Sequence, residues 1–118
     1  MIDAEVGMIL ETAPGFVDRY LDLAEAADGD PGTAATLTEL ADYVSGLVTE
    51  IDRCTPVLAR CLAGVESVAT SSDDGAELVA WAFLDSLSPD DRRRLVGSLG
   101  PRTRALLREV DPDPGAGS

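Results

Sequence analysis

The sequence predicts an all-α fold of six or seven helices, and three observations carry that expectation. Apolar residues recur at spacings of three and four along most of the chain, and no stretch sustains the alternation of a strand. Proline or glycine punctuates the periodic runs, as at Ser88-Pro89 and Gly100-Pro101. With 118 residues and 45% hydrophobic content, the chain is one domain's worth and can bury a core despite a net charge of −13.

The first helix is expected over about Asp3 to Thr12, with Val6, Ile9 and Leu10 inward. Pro14 suits the first turn of a second helix to about Ala27, burying Phe16, Val17, Tyr20, Leu21 and Ala24. Asp28-Gly29-Asp30-Pro31-Gly32 is the strongest breaker in the chain. The third helix, from about Thr33 to Arg53, carries Leu37, Leu40, Ala41, Val44, Leu47, Val48 and Ile51 at helical spacing. Thr55-Pro56 has the N-cap signature of a fourth helix, whose stripe is Leu58, Cys61, Leu62, Val65 and Val68. Thr70-Ser71-Ser72 reads as a polar loop, with Ser72 or Asp73 capping a fifth helix. Leu78, Val79, Ala82, Phe83 and Leu87 make that helix apolar over more than half its girth, so it is expected at the centre. Trp81 and Tyr43 are expected in the core. Ser88-Pro89-Asp90-Asp91 opens a short sixth helix to Ser98, and Pro101 opens a seventh to near Val110. Residues 1–110 thus form a single helical domain, and 111–118, without core-forming residues, a disordered tail.

The chain has no Lys, His, Asn or Gln. Without histidine, the usual general base, zinc ligand and Ser-His or Cys-His devices all disappear. Cys54 and Cys61 are seven apart, about 10 Å of helical rise and too far for a disulfide, so both are expected as small buried side chains. Asp28, Asp30 and Glu39 match positions of a calcium loop, but Thr33 stands where its obligatory glycine belongs. Gly97-Ser98-Leu99-Gly100 lacks the spacing and lysine of a phosphate loop. An enzyme working through carboxylates alone is the weakest of three functional readings. No cofactor and no metal are expected. The acidic N-terminus and the lack of a long apolar run point to a cytoplasmic protein with no membrane association.

Residues 1–52 hold twelve acids and one Arg, whereas 92–118 hold three acids and six Arg. On the second helix Asp18, Asp22 and Glu25 form one exposed stripe; on the third, Glu39 and Asp42 share a face. Without lysine these stripes are expected to lack local compensation. They fit docking to a basic protein partner, which such a surface would steer; the competing explanation is that they only solubilise. Arg92, Arg93, Arg94, Arg102, Arg104 and Arg108 are the one basic region, without aromatics to stack bases. They are expected near helix ends, paired with the acidic first half, and nucleic acid is excluded as a partner.

Val65-Glu66, Ser71-Ser72-Asp73-Asp74, the segment Val79 to Leu87 and Leu99-Gly100-Pro101-Arg102-Thr103-Arg104 occur in that order. Together with Pro14-Gly15-Phe16 and Leu37 to Val48, they resemble an uncharacterised family of small acidic all-helical bacterial proteins with a C-terminal Leu-Gly-Pro-basic motif. Leu62-Ala63-Gly64 and Asp85 depart from that family's pattern, in which an apolar-aromatic lead-in and a Glu are usual. The resemblance, over about residues 5–110, implies a compact helical bundle, HEAT-like in one form, and a non-enzymatic role. Some such proteins resemble toxin-immunity proteins. The leading expectation is therefore an acidic protein that neutralises a basic partner, with a toxin domain as first candidate. The alternative is a structural or regulatory interaction module, homodimeric in one version, with no inhibitory role.

Overall fold

A computed structural model describes residues 4–29, 31–50 and 56–110. Among these the chain forms seven α-helices and no strand: α1 (Ala4–Thr12), α2 (Val17–Ala27), α3 (Thr33–Glu50), α4 (Pro56–Ser71), α5 (Asp73–Leu78), α6 (Pro89–Leu95) and α7 (Pro101–Val110). Short 3-10 turns at Pro14–Phe16 and Val96–Ser98 lead into α2 and out of α6, and a π-helical turn, Val79–Leu84, prolongs α5. The all-α fold expected from periodicity is present. Asp30, the stretch 51–55 with Ile51, Arg53, Cys54 and the Thr55 cap, and the tail 111–118 lie outside the described residues.

The helix ends follow local chemistry. Ser72 and Ser88 both cap, their hydroxyls accepting from the Gly75 amide at 2.9 Å and the Asp91 amide at 3.2 Å. At the close of α2, Asp28 takes the left-handed conformation (φ 57°), and the Gly29 amide bonds back to Ala24 O at 3.0 Å. The loop expected at Thr70-Ser71-Ser72 shrinks to Ser72 alone. The Thr70 and Ser71 hydroxyls donate to Glu66 O (3.0 Å) and Val68 O (2.7 Å) inside α4, so these residues satisfy their polar groups without leaving the helix.

One buried cluster runs from Val6 and Ile9 on α1 to Leu106 and Leu107 on α7. α1 packs on α4, α3 on the π-helical turn, and α7 on both α4 and that turn. These pairings join helices distant in chain order, as in a bundle. Gly64 permits the close approach of α1 to α4, since a Cβ there would stand 2.4 Å from Thr12 Oγ1 and 3.4 Å from the Ile9 Cα.

The centre is the π-helical turn, in which Asp85 N–H bonds to Ala80 O five residues back, at 3.1 Å. A wider turn advances each residue through a smaller angle. Leu84 is thereby brought round to join Val79, Ala82 and Phe83 in the core, while Trp81 stays on the opposite side. Trp81 is 53% exposed, against the expectation of core packing, and Leu21, expected inside, is 57% exposed. Leu21 fails for a similar reason. Phe16 and Tyr20 already fill the inner side of α2, with Val17 and Ala24 half-buried beside them, and Leu21 falls on the outer face. Tyr43 is half-buried, its ring 5.8 Å from that of Phe16. Cys61 is buried as expected, and burial pushes its thiol up to about 11 against one opposing backbone hydrogen bond. No helix among the described residues is long and apolar enough to cross a membrane.

Candidate functional site

With Tyr20 turned inward, the outer face of α2 presents Asp18, Leu21, Asp22 and Glu25, all exposed. Among the described residues these three acids form no ion pair. Arg19, between them in sequence, turns instead toward α3. Its Nη2 donates to Asp42 Oδ2 at 3.1 Å, its Nε lies 4.0 Å from Glu39 Oε1, and its guanidinium stands 5.5 Å from the centre of the Tyr43 ring. The five predicted docking acids therefore divide. Asp18, Asp22 and Glu25 stand free around an exposed leucine. Glu39 and Asp42 are partly neutralised from α2, which corrects the expectation that both stripes lack local compensation.

Four of the six C-terminal arginines, Arg92, Arg93, Arg94 and Arg104, are held by their own neighbourhood. Arg92 follows Pro89 by three positions and donates back to Leu84 O (Nε, 3.0 Å) and Asp85 O (Nη2, 3.3 Å), ending the π-helical segment. Arg104 follows Pro101 by three and donates to Val96 O (3.2 Å) and Leu99 O (3.0 Å), ending the segment before α7. The same device, Pro-x-x-Arg, thus turns two successive corners. Arg93 and Arg94 pair with Asp90, and Arg92 also with Asp85 at 3.7 Å. The position near helix ends is as expected. Among the described residues, these three ion pairs are to acids close in sequence, as α6 begins with acids that its own arginines reach.

Among the described residues, Glu66 is the carboxylate that accepts the most hydrogen bonds. From α4 its Oε1 accepts from the Thr103 amide (2.9 Å) and hydroxyl (2.8 Å), and its Oε2 from the Arg102 amide (3.0 Å). It caps the first turn of α7 from across the bundle. Burial raises its pKa, but the Thr103 amide and hydroxyl, the Arg102 amide and the Arg102 charge outweigh that and hold it below the ordinary value. Gly100 makes room: a Cβ there would lie 2.5 Å from the Glu66 carboxyl carbon. The sequence segments Val65-Glu66 and Leu99 to Arg104 are therefore two halves of one joint. Asp91 is structural too. It is buried, and the Ser45 hydroxyl donates to it at 2.5 Å, tying α3 to α6.

Comparison with protein-family models, curated proteins and solved structures finds no match. Among the described residues no three His, Cys, Asp or Glu side chains gather as they would to hold a metal ion, and no buried side-chain N or O lacks a hydrogen-bond partner. What the described surface offers is charge and exposed apolar side chains. Trp81 is one that residue-type reasoning missed. It lines a shallow depression of about 360 Å³ with Asp74, Glu77 and Leu78. The signal was present, because Asp74, Glu77 and Asp85 stand seven and four residues before and four after it, marking a polar stripe.

Proposed function

We propose that this chain is a cytoplasmic, non-enzymatic binding protein that docks a basic protein partner and neutralises it, a toxin domain in an immunity relationship being the first candidate. The observation that carries this reading is the outer face of α2, where Asp18, Asp22 and Glu25 surround the exposed Leu21 and form no ion pair among the described residues. Leaving three like charges at helical spacing costs a few tenths of a kcal/mol per pair, which a steering surface recovers on encounter. Glu39 and Asp42 on α3 add to the acidic surface of the docking reading, with Arg19 damping their charge. The resemblance to small acidic helical proteins, some of them like immunity proteins, supports the same direction. Arg92 and Arg104 are fixed at corners and Arg93 and Arg94 beside Asp90, which makes these four poor candidates for contacting phosphate.

The test is stopped-flow association with basic toxin domains, those encoded beside the gene first. The association rate should fall as salt is added, and reversing Asp18, Asp22 and Glu25 together to Arg should slow it about tenfold or more with the helical spectrum unchanged. Replacing Arg93 and Arg94 should matter far less. Equal rates for parent and triple variant would show that these acids only solubilise the protein.

A further inference from the structure

The molecule already contains one complete arginine cradle. The Arg19 guanidinium stands against the Tyr43 ring, 5.5 Å from its centre, and is flanked by Asp42 at 3.1 Å and Glu39 at 4.0 Å. One aromatic face and two carboxylates suit a guanidinium, which stacks through its plane and donates from its edges. The same set of groups recurs on the stripe formed by α5 and the π-helical turn. There Trp81, a better cation-binding ring than Tyr, stands 53% exposed in a depression shared with Asp74 and Glu77. Neither carboxylate has an ion-pair partner among the described residues. One turn further on, Asp85 is already paired with Arg92, so the stripe divides into a satisfied end and an open one.

We infer that the Trp81 depression is a docking site for an arginine side chain borne by a basic protein segment. Arginine is favoured over an apolar anchor because the depression is shallow and two of its four lining residues are carboxylates. It is favoured over a second copy of this chain because two copies carrying −13 each repel one another. The inference deepens the reading of the protein as a binder of basic partners and rests on it, but it places an anchor on α5, away from the stripe on α2. Tryptophan and arginine are both among the residue types enriched at the energetic centres of protein interfaces.

Trp81 is the sole tryptophan of the chain, so its emission reports on this depression alone. The full-length protein is titrated with a short peptide of alternating Arg and Gly, and with the same peptide carrying citrulline for Arg. The expected result is a saturable change in emission with the Arg peptide and none with the citrulline peptide. Asp74→Asn with Glu77→Gln should raise half-saturation about tenfold, and calorimetry should show a similar loss for Trp81→Ala. Asp18→Asn, Asp22→Asn and Glu25→Gln together should change the emission response far less. Three outcomes overturn the inference: no binding; binding measured by calorimetry with emission unchanged; or a loss of response with the α2 variant equal to that with the α5 variant. The second leaves the acidic-docking reading intact. A Trp81 response to the peptide, with no association to any basic toxin domain, leaves the depression standing and removes the proposed neutralising role. A fourth outcome overturns it too: if emission shifts with protein concentration alone and sedimentation shows a dimer, the occupant is a second copy.

Discussion

Replacing Glu66 with alanine removes the acceptor of three hydrogen bonds from the first turn of α7. Thr103 is fully buried, so its amide and hydroxyl lose their partner where water cannot readily substitute. That costs about 1–2 kcal/mol, and loss of a carboxylate at a helix N-terminus adds about 0.3–1 kcal/mol. Arg102 is exposed, and water can satisfy its amide. The expected loss is about 2 kcal/mol, a fall in Tm of roughly 10 °C for a domain of this size. Thermal and urea unfolding followed by circular dichroism measure it. Glu66→Gln, which keeps an acceptor and loses the charge, should lose about half as much. Because the folded pKa of Glu66 lies below its ordinary value, the charge stabilises the fold at neutral pH, and this contribution is lost as pH falls through the lowered value. The gap between parent and Gln variant should therefore be full at pH 7, begin to shrink as pH falls below the ordinary Glu value of about 4.3, and vanish only below the lowered folded value. An alanine variant melting within about 2 °C of the parent would refute the cap, and a Gln gap persisting unchanged at about pH 3 would refute its charge dependence.

Gly100→Ala should cost about 1–3 kcal/mol by pushing the new Cβ into Glu66, and a double-mutant cycle should show most of that cost gone in the Glu66→Ala background. Phe83→Ala should cost about 3–5 kcal/mol in urea unfolding, whereas Trp81→Ala, on the outer side of the same turn, should stay within about 1 kcal/mol of the parent. In a Cys54→Ser background, Cys61 should react with a thiol reagent at neutral pH only at the rate of opening. Urea should accelerate that reaction about a hundredfold or more, and fast labelling of the native protein would contradict its burial.

The helices could be read from residue order because their punctuation is local: Ser72, Ser88, Pro89 and Pro101 act within one turn of themselves. All five residues that periodicity places on the buried stripe of α4, Leu58, Cys61, Leu62, Val65 and Val68, are buried for the same reason, and the small Gly64 and Ala69 join them. Trp81 and Leu21 were not legible in this way, since a residue-type rule sends every large apolar side chain inward. Trp81 stands in an acidic stripe, and the inner side of α2 was already filled by Phe16 and Tyr20. The π-helical widening has no local signature; it lies where α3 and α7 pack on this segment, and it leaves Leu84 buried. The acids on α2 were placed correctly as an exposed stripe. Arg19 bridging to α3, and Glu66 reaching α7 from 36 positions earlier, needed the tertiary fold.

The two Pro-x-x-Arg corners also govern which changes this chain can accumulate. A guanidinium can reach two carbonyls at once, as Arg92 does with Leu84 O and Asp85 O; an ammonium on a flexible stem satisfies them singly, without the planar fork. Drift from Arg to Lys, ordinarily among the mildest of replacements, should therefore be blocked at Arg92 and Arg104 and open at Arg93, Arg94, Arg102 and Arg108. A screen of coding variants would show two intolerant arginines twelve positions apart, each three residues after a proline, amid tolerant ones. That spacing, joined to an acid at position 66 and a glycine at position 100, is a fingerprint by which distant kin of this chain could be found after its surface has diverged beyond recognition.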